Sequence, residues 1–406
     1  MTQQTNNTKR WGILIAGVFA MLFAGVLYAW SILKAPFADS LGFTPSALAL
    51  NFTLTMSFFC LGGFLSGRLT RFLGTRWLLL LSGALAGVGF VTTSFIGEGS
   101  TVVLYLTYAL CAGLGIGMAY ITIISTVNAW FPDRRGLSSG ALMMGFGAST
   151  LLLGKIADTL FSSGFGWRNT YILMGCAIAA VIMLSALVIR KPSADILLPE
   201  KKVGKAARAE SFETRDYTPL EMVRRFSFWR AFLALVCLTA VGSAVISFAR
   251  DLALSVGAGA SFATTLVGVL AVCNGLGRII TGAVFDSLGR RFTMIGAGVL
   301  TVFAAGVTLL AVGIGSLSLC TVGLCLTGLS YGTSPTVSSA FTSAFYGQKH
   351  FATNLSISNF NLMLASFIAT ACSSLKLASG GYTAPFLLLL SLSVVALLLN
   401  ISIKKP

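Results

Sequence analysis

The chain has 406 residues, of which 56% are hydrophobic and only 10% charged, with a mean hydropathy of +0.87. About a quarter of a soluble domain's residues are charged, and apolar stretches of about 20 residues recur here from end to end, so a soluble globular domain is excluded and a polytopic helical membrane protein is expected. The net charge of +16 does not indicate a nucleic-acid partner, because the basic residues gather in the loops between apolar runs.

In chain order the apolar runs cover residues 11–33, 46–67, 77–96, 102–129, 137–157, 169–189, 230–249, 262–284, 292–312, 316–342, 352–373 and 383–403. The first is too long for the core of a signal peptide, and no small-residue cleavage site follows a short one, so no cleaved leader is expected. Twelve helices place both termini on one side. Loops on that side hold 22 basic and 8 acidic residues, against five and four on the other. Short basic loops stay in the cytoplasm, so both termini are expected there. Short loops throughout point to a bacterial inner membrane.

A single long polar stretch divides the runs six and six. The expected organisation is a six-helix bundle over 1–190, a cytoplasmic linker over 191–229 and a second bundle over 230–406. The linker carries Pro192, Pro199 and Pro219 and reads as a solvated connector, with a short amphipathic helix over Pro219–Phe228 as the alternative. An internal repeat supports the division. Gly67 to Arg76 and Gly282 to Arg291 both read Gly, six residues, Gly, then a basic residue within two positions, at an offset of 215. Phe131-Pro132-Asp133-Arg134-Arg135-Gly136 and Phe345-Tyr346-Gly347-Gln348-Lys349-His350 form a second pair at nearly the same offset. Two parallel six-helix repeats build one large class of transporters, with the substrate site near the midplane.

These motifs make the resemblance specific. The Gly-x3-Asp-x2-Gly-Arg-Arg loop at 282–291 resembles the signature loop of the major facilitator superfamily, and its copy at 67–76 has Arg71 where the acid is usual. Gly25-Val26-Leu27-Tyr28-Ala29-Trp30-Ser31, Trp130-Phe131-Pro132-Asp133-Arg134-Arg135-Gly136, Gly166-Trp167-Arg168 and Asn274-Gly-x-Gly-Arg278 resemble the monocarboxylate transporter and oxalate/formate antiporter branch. The resemblance implies an all-α membrane protein of twelve transmembrane helices in two pseudo-symmetric six-helix bundles, functional as a monomer.

Arg278 is the one charge well inside an apolar run. A guanidinium at that depth costs at least about 2.5–3.5 kcal/mol and cannot shed its proton, so it must face a partner or a water-filled cavity. A structural Arg neutralised by carbonyls is one reading. A carboxylate clamp is the other, since the guanidinium fork matches a carboxylate, and the resemblance carries the family's substrate-anion role onto Arg278. Asn274, one helical turn away, can bond the substrate or steady Arg278. Many family members have an Asp there that is thought to join in proton coupling. They also carry, in some cases, a basic residue where Ser31 and Ile32 stand here. Both departures weigh against a proton relay borne by the protein.

Tyr120, Tyr331 and Tyr28 lie in helices that, by the resemblance, line the central cavity, and a buried Tyr hydroxyl needs a partner. Cys60 matches Gly275 by the 215 offset, and Phe360, between Asn359 and Asn361, can close the apolar end of a pocket. Each has an ordinary packing alternative. His350 reads as a solvated loop residue. The glycine patterns at 113–117 and 140–147 have no preceding strand and no Lys-Ser/Thr partner, so they read as close helix packing rather than phosphate loops. The fifth helix lacks the Gly-Pro signature of drug/proton antiporters. No constellation of catalytic residues, nucleotide loop or metal cluster is present, so neither enzyme activity nor a cofactor is expected. All eight cysteines lie in or beside apolar runs and form no disulfide framework.

One cation offsets one carboxylate. A dianion would leave charge over, at a desolvation cost of several kcal/mol. The expected function is secondary transport of a small monocarboxylate such as lactate or pyruvate by alternating access, with a proton as candidate co-substrate, the lipid bilayer as partner and no nucleic acid. An oxalate/formate-type exchanger is the alternative, and an anion sensor with a transporter fold a remote one.

Overall fold

A computed structural model of the chain describes residues 2–193, 196 and 215–403. Its long helices, in order, are α1 (Thr2–Ala24), α2 (Pro45–Thr93), α3 (Gly113–Asn128), α4 (Arg135–Ser162), α5 (Gly166–Val188), α6 (Phe226–Ser255), α7 (Ala260–Ile314), α8 (Leu317–Tyr346), α9 (Phe360–Ser379) and α10 (Thr383–Ser402). A 3-10 stretch, Gly25–Ala29, follows α1, and a π stretch, Tyr105–Ala112, leads into α3.

Among the described residues, ten helices are long and apolar enough to cross a bilayer. One of these, Thr265–Ile314, is 50 residues long. Unbroken, 50 residues at 1.5 Å each would make about 75 Å of helix, more than twice the ~30 Å of a hydrocarbon core, and Gly289 divides the stretch in two. α8 is not among the ten, because eleven of its 30 residues are Ser or Thr. Most of these hydroxyls are buried. Several bond a carbonyl one turn back, as Thr327 does to Gly323, or a hydroxyl on another helix, as in Thr301–Ser330 and Thr239–Ser334, both at 2.5 Å, while Ser338 Oγ is buried without a hydrogen bond. Such bonds let a polar helix stand where water is absent.

The repeat is written into the backbone. Gly74 and Gly289 stand at matching places in its two copies. They break α2 and α7 with φ/ψ of 70°/168° and 79°/−177°, a region that only glycine enters cheaply. The leading glycines match as well. A Cβ on Gly67 would overlap the backbone at Ala352–Thr353, and a Cβ on Gly282 would overlap the backbone of Gly136.

Contacts divide the chain into two compact units. The first comprises Met1–Asp133, Gly145–Lys201 and His350–Ile357, and the second Arg134–Met144, Lys202–Lys349 and Ser358–Pro406. The first unit has an aromatic interior. Tyr108 lies between Trp30 and Phe90, with ring centroids at 4.6 and 5.2 Å, and Tyr171 donates to the Leu33 carbonyl at 2.7 Å. Arg10 is buried, pairs with Asp133 at 2.8 Å and lies over the Phe131 ring.

The second unit packs α7 against α8 and gathers Phe248, Leu266, Leu324, Phe386 and Leu389 in an apolar cluster. Residues 197–214 of the expected linker lie outside the described residues. The far end of that stretch is docked on the second unit. The Tyr217 N–H donates to the Tyr346 carbonyl at 3.0 Å, and Asp216 accepts from the N–H groups of Gln348 and Lys349. The helix there is a single turn, Pro219–Val223, capped reciprocally by Thr218 and Glu221. These bonds, the Thr218 backbone N–H first, hold the Glu221 carboxyl below its usual range.

The second unit also contains the start of α4. Asp286 accepts from the N–H of Gly136 at 2.9 Å and of Leu137 at 2.8 Å. A carboxylate here meets two of a helix start's orphan donors and the positive end of its dipole. The first copy of the repeat has Arg71 in this place. Asp286→Asn keeps an acceptor and loses the charge, so it is expected to cost about 1–2 kcal/mol and to lower the melting temperature of the purified protein. An unchanged melting temperature would show that this contact contributes nothing to stability.

Candidate functional site

The site begins as a seam between two helices of the second unit. A Cβ on Gly328 would strike the Leu270 carbonyl, one on Gly277 the Leu329 carbonyl, and one on Gly332 the Asn274 carbonyl and the Arg278 nitrogen. Glycine at these positions lets the backbones of α7 and α8 touch. From the other side, Gly140 of α4 leaves room for the Arg278 carbonyl, which also accepts from Thr336 Oγ1 at 3.3 Å. The backbone of Arg278 is therefore held by α4 and α8 together.

The side chain is almost wholly buried, with 3% exposure. Its Nε donates to Asn274 Oδ1 at 3.2 Å, and its Nη1 donates to the backbone carbonyl of Met143. Asn274, at 8% exposure, is thus the side chain that steadies Arg278. Both partners are uncharged. Two bonds are made by a group that carries five N–H donors. The carbonyl contact fits the structural-Arg reading, and the donors left over and the uncompensated charge leave room for the carboxylate reading.

Of the other sequence-predicted residues, two belong to the second unit and three to the first. Tyr331 is buried beside the seam, but its ring packs against Gly242 of α6, and its hydroxyl accepts from Ser243 at 3.4 Å. Phe360 is half-buried at the first position of α9, after Asn359. The neighbouring Asn361 accepts from Thr239 at 3.1 Å and donates to the Ser358 carbonyl at 2.6 Å. In the first unit, Tyr120 sits edge-on to Phe59 and Phe146, with centroids at 5.0 and 5.1 Å, and Tyr28 is edge-on to Phe146 at 5.4 Å. Cys60, next to Phe59 in the chain, is buried.

Met143, Gly140, Gly332 and Thr336 were not among the predicted residues. Met143 enters through its carbonyl, which no side-chain pattern reveals. Gly140 belongs to one of the glycine patterns read as helix packing, and the geometry bears that reading out: Gly113, Gly115, Gly117 and Gly145 likewise sit where a Cβ would overlap a neighbouring backbone.

Comparison with known proteins supplies the family. The model of the Major Facilitator Superfamily matches residues 13–370. The chain is 27% identical to an uncharacterized MFS-type transporter, YhjX, of Escherichia coli, over 88% of this chain and 86% of the relative. It is 29% identical to the oxalate:formate antiporter of Oxalobacter formigenes, over 84% and 80% respectively. Human monocarboxylate transporter 11 is 33% identical over a shorter stretch, 29% of this chain and 25% of that protein. Among solved structures, the proton:xylose symporter XylE superposes with a TM-score of 0.73 at 16% identity, covering 97% of this chain and 95% of that one. With its ten membrane-length helices, its glycine-broken repeat and a family match over most of its length, the chain belongs to the Major Facilitator Superfamily.

Proposed function

We propose that the protein is a secondary transporter of small monocarboxylates, of the size of lactate or pyruvate, working by alternating access. Arg278 receives the carboxylate, and Asn274 orients the guanidinium. The observation that carries this reading is a buried, permanently charged group whose two partners are neutral. A single carboxylate restores neutrality, whereas a dianion brings one charge too many at a cost of several kcal/mol. Asn274 cannot exchange a proton, so proton coupling would involve either the substrate carboxylate itself or the Arg250–Asp251 pair of α6. The orientation that accompanies this reading places both termini in the cytoplasm of a bacterial inner membrane, with the monomer as the working unit.

Exchange is a second reading, supported by the similarity to the oxalate:formate antiporter over four fifths of that protein. Proteoliposomes separate the two. Labelled lactate is expected to enter empty vesicles and to enter faster with an inward proton gradient. Uptake that occurs only into vesicles preloaded with oxalate or formate would establish exchange instead.

A further inference from the structure

The second unit carries a groove on the outer side of α7, just past the Gly289 break. Its volume is about 710 Å³, and its lining includes Leu288, Arg291, Phe292, Gly296, Val299 and Phe303. From Phe292 onward these positions recur every three or four residues, so they form one stripe along the helix. A bare lipid-facing helix is convex. Here the space over Gly296 is open, since a Cβ on it would meet nothing within 4 Å, and the exposed Phe292 and Phe303 line the groove with it. The lining is apolar except at one end, where the exposed Arg291 stands. Its neighbour Arg290 lies over the Phe345 ring at 4.9 Å.

We propose that this groove binds one anionic diacyl phospholipid, with the headgroup phosphate at Arg291 and an acyl chain lying over Gly296 towards Phe303. The length fits. Arg291 to Phe303 spans about 18 Å at 1.5 Å per residue, close to the ~15 Å depth of one leaflet. The charge fits as well. The basic loops assign this end of α7 to the cytoplasmic leaflet, where anionic lipids concentrate.

The test offers detergent-purified protein an equimolar mixture of palmitoyl-oleoyl phosphatidylglycerol and phosphatidylcholine and counts retained lipid by native mass spectrometry. The wild type is expected to retain phosphatidylglycerol preferentially. Arg291→Gln should reduce that preference about fivefold, the change that about 1 kcal/mol per basic group at an anionic surface produces. Gly296→Leu should lose both lipids while melting as the wild type does, because its side chain enters open space. An unchanged lipid ratio in Arg291→Gln together with unchanged retention in Gly296→Leu would overturn the proposal. So would a dimer mass that disappears in Gly296→Leu, which would make a second copy of the chain the occupant.

Discussion

Arg278→Ala is expected to lower lactate uptake into proteoliposomes at least about a hundredfold while the protein remains folded. Removing one partner of a buried, hydrogen-bonded charge pair costs about 2–5 kcal/mol, and a hundredfold loss corresponds to about 2.7 kcal/mol. The effect on stability should be much smaller, because two contributions oppose each other. The Met143 carbonyl and the Asn274 amide each lose a donor, at about 1–3 kcal/mol apiece. Against this, the cost of holding a lone charge at membrane depth disappears.

Arg278→Lys is the sharper variant. It keeps the charge, but an ammonium on a flexible stem lacks the planar fork, so it cannot hold Asn274, the Met143 carbonyl and a carboxylate at once. We expect it to melt close to the wild type and to recover no more than about a tenth of the uptake, a shortfall of at least 1.36 kcal/mol. Wild-type uptake by a folded Arg278→Ala protein would reduce Arg278 to a brace between α7 and α4 and would remove the basis of the proposed function. Loss of uptake in an Arg278→Lys protein of unaltered melting temperature would support it even if the Ala variant proved too unstable to purify.

The second large effect is expected at a residue that carries no charge. Gly332→Ala adds one methyl group where the Asn274 carbonyl and the Arg278 nitrogen already lie. Backbone cannot rotate out of the way as a side chain can, so α7 and α8 must separate. Overpacking of this kind costs about 1–3 kcal/mol, and it displaces Arg278 relative to Met143. Melting temperature and uptake should therefore fall together. Gly268→Ala, in the same α7, provides the control. Its Cβ meets nothing within 4 Å, and alanine is the better helix former by about 1 kcal/mol, so it should melt at or above the wild-type temperature. Equal behaviour of the two variants would mean that the seam between α7 and α8 is not the tight contact described here.

Much of this molecule could be read directly from its residues. Helices that cross a bilayer must satisfy their own backbone bonds and cover themselves with apolar side chains, so the composition alone required a membrane bundle, and the ten qualifying helices follow from it. The 215-residue offset was visible because glycine is needed wherever φ is positive and ψ is near 180°, and Gly74 and Gly289 both occupy that conformation. Asn274 and Arg278 could be paired in advance because a separation of four residues places two side chains on one helix face, and the 3.2 Å bond between them is local.

What lies across helices could not be read in this way. Spacing along the chain said nothing of a carbonyl at Met143, 135 residues from Arg278, or of Ser243 meeting the Tyr331 hydroxyl. Nor did it show that Asp286 would cap the start of α4. The sequence by itself determined that this is a membrane-spanning helical bundle with an internal repeat and one costly arginine, because solvation cost and backbone conformation act residue by residue. Only the tertiary structure decided what that arginine touches, because helix-to-helix contacts depend on which turns meet, and a glycine that permits such a contact looks in one dimension like any other glycine.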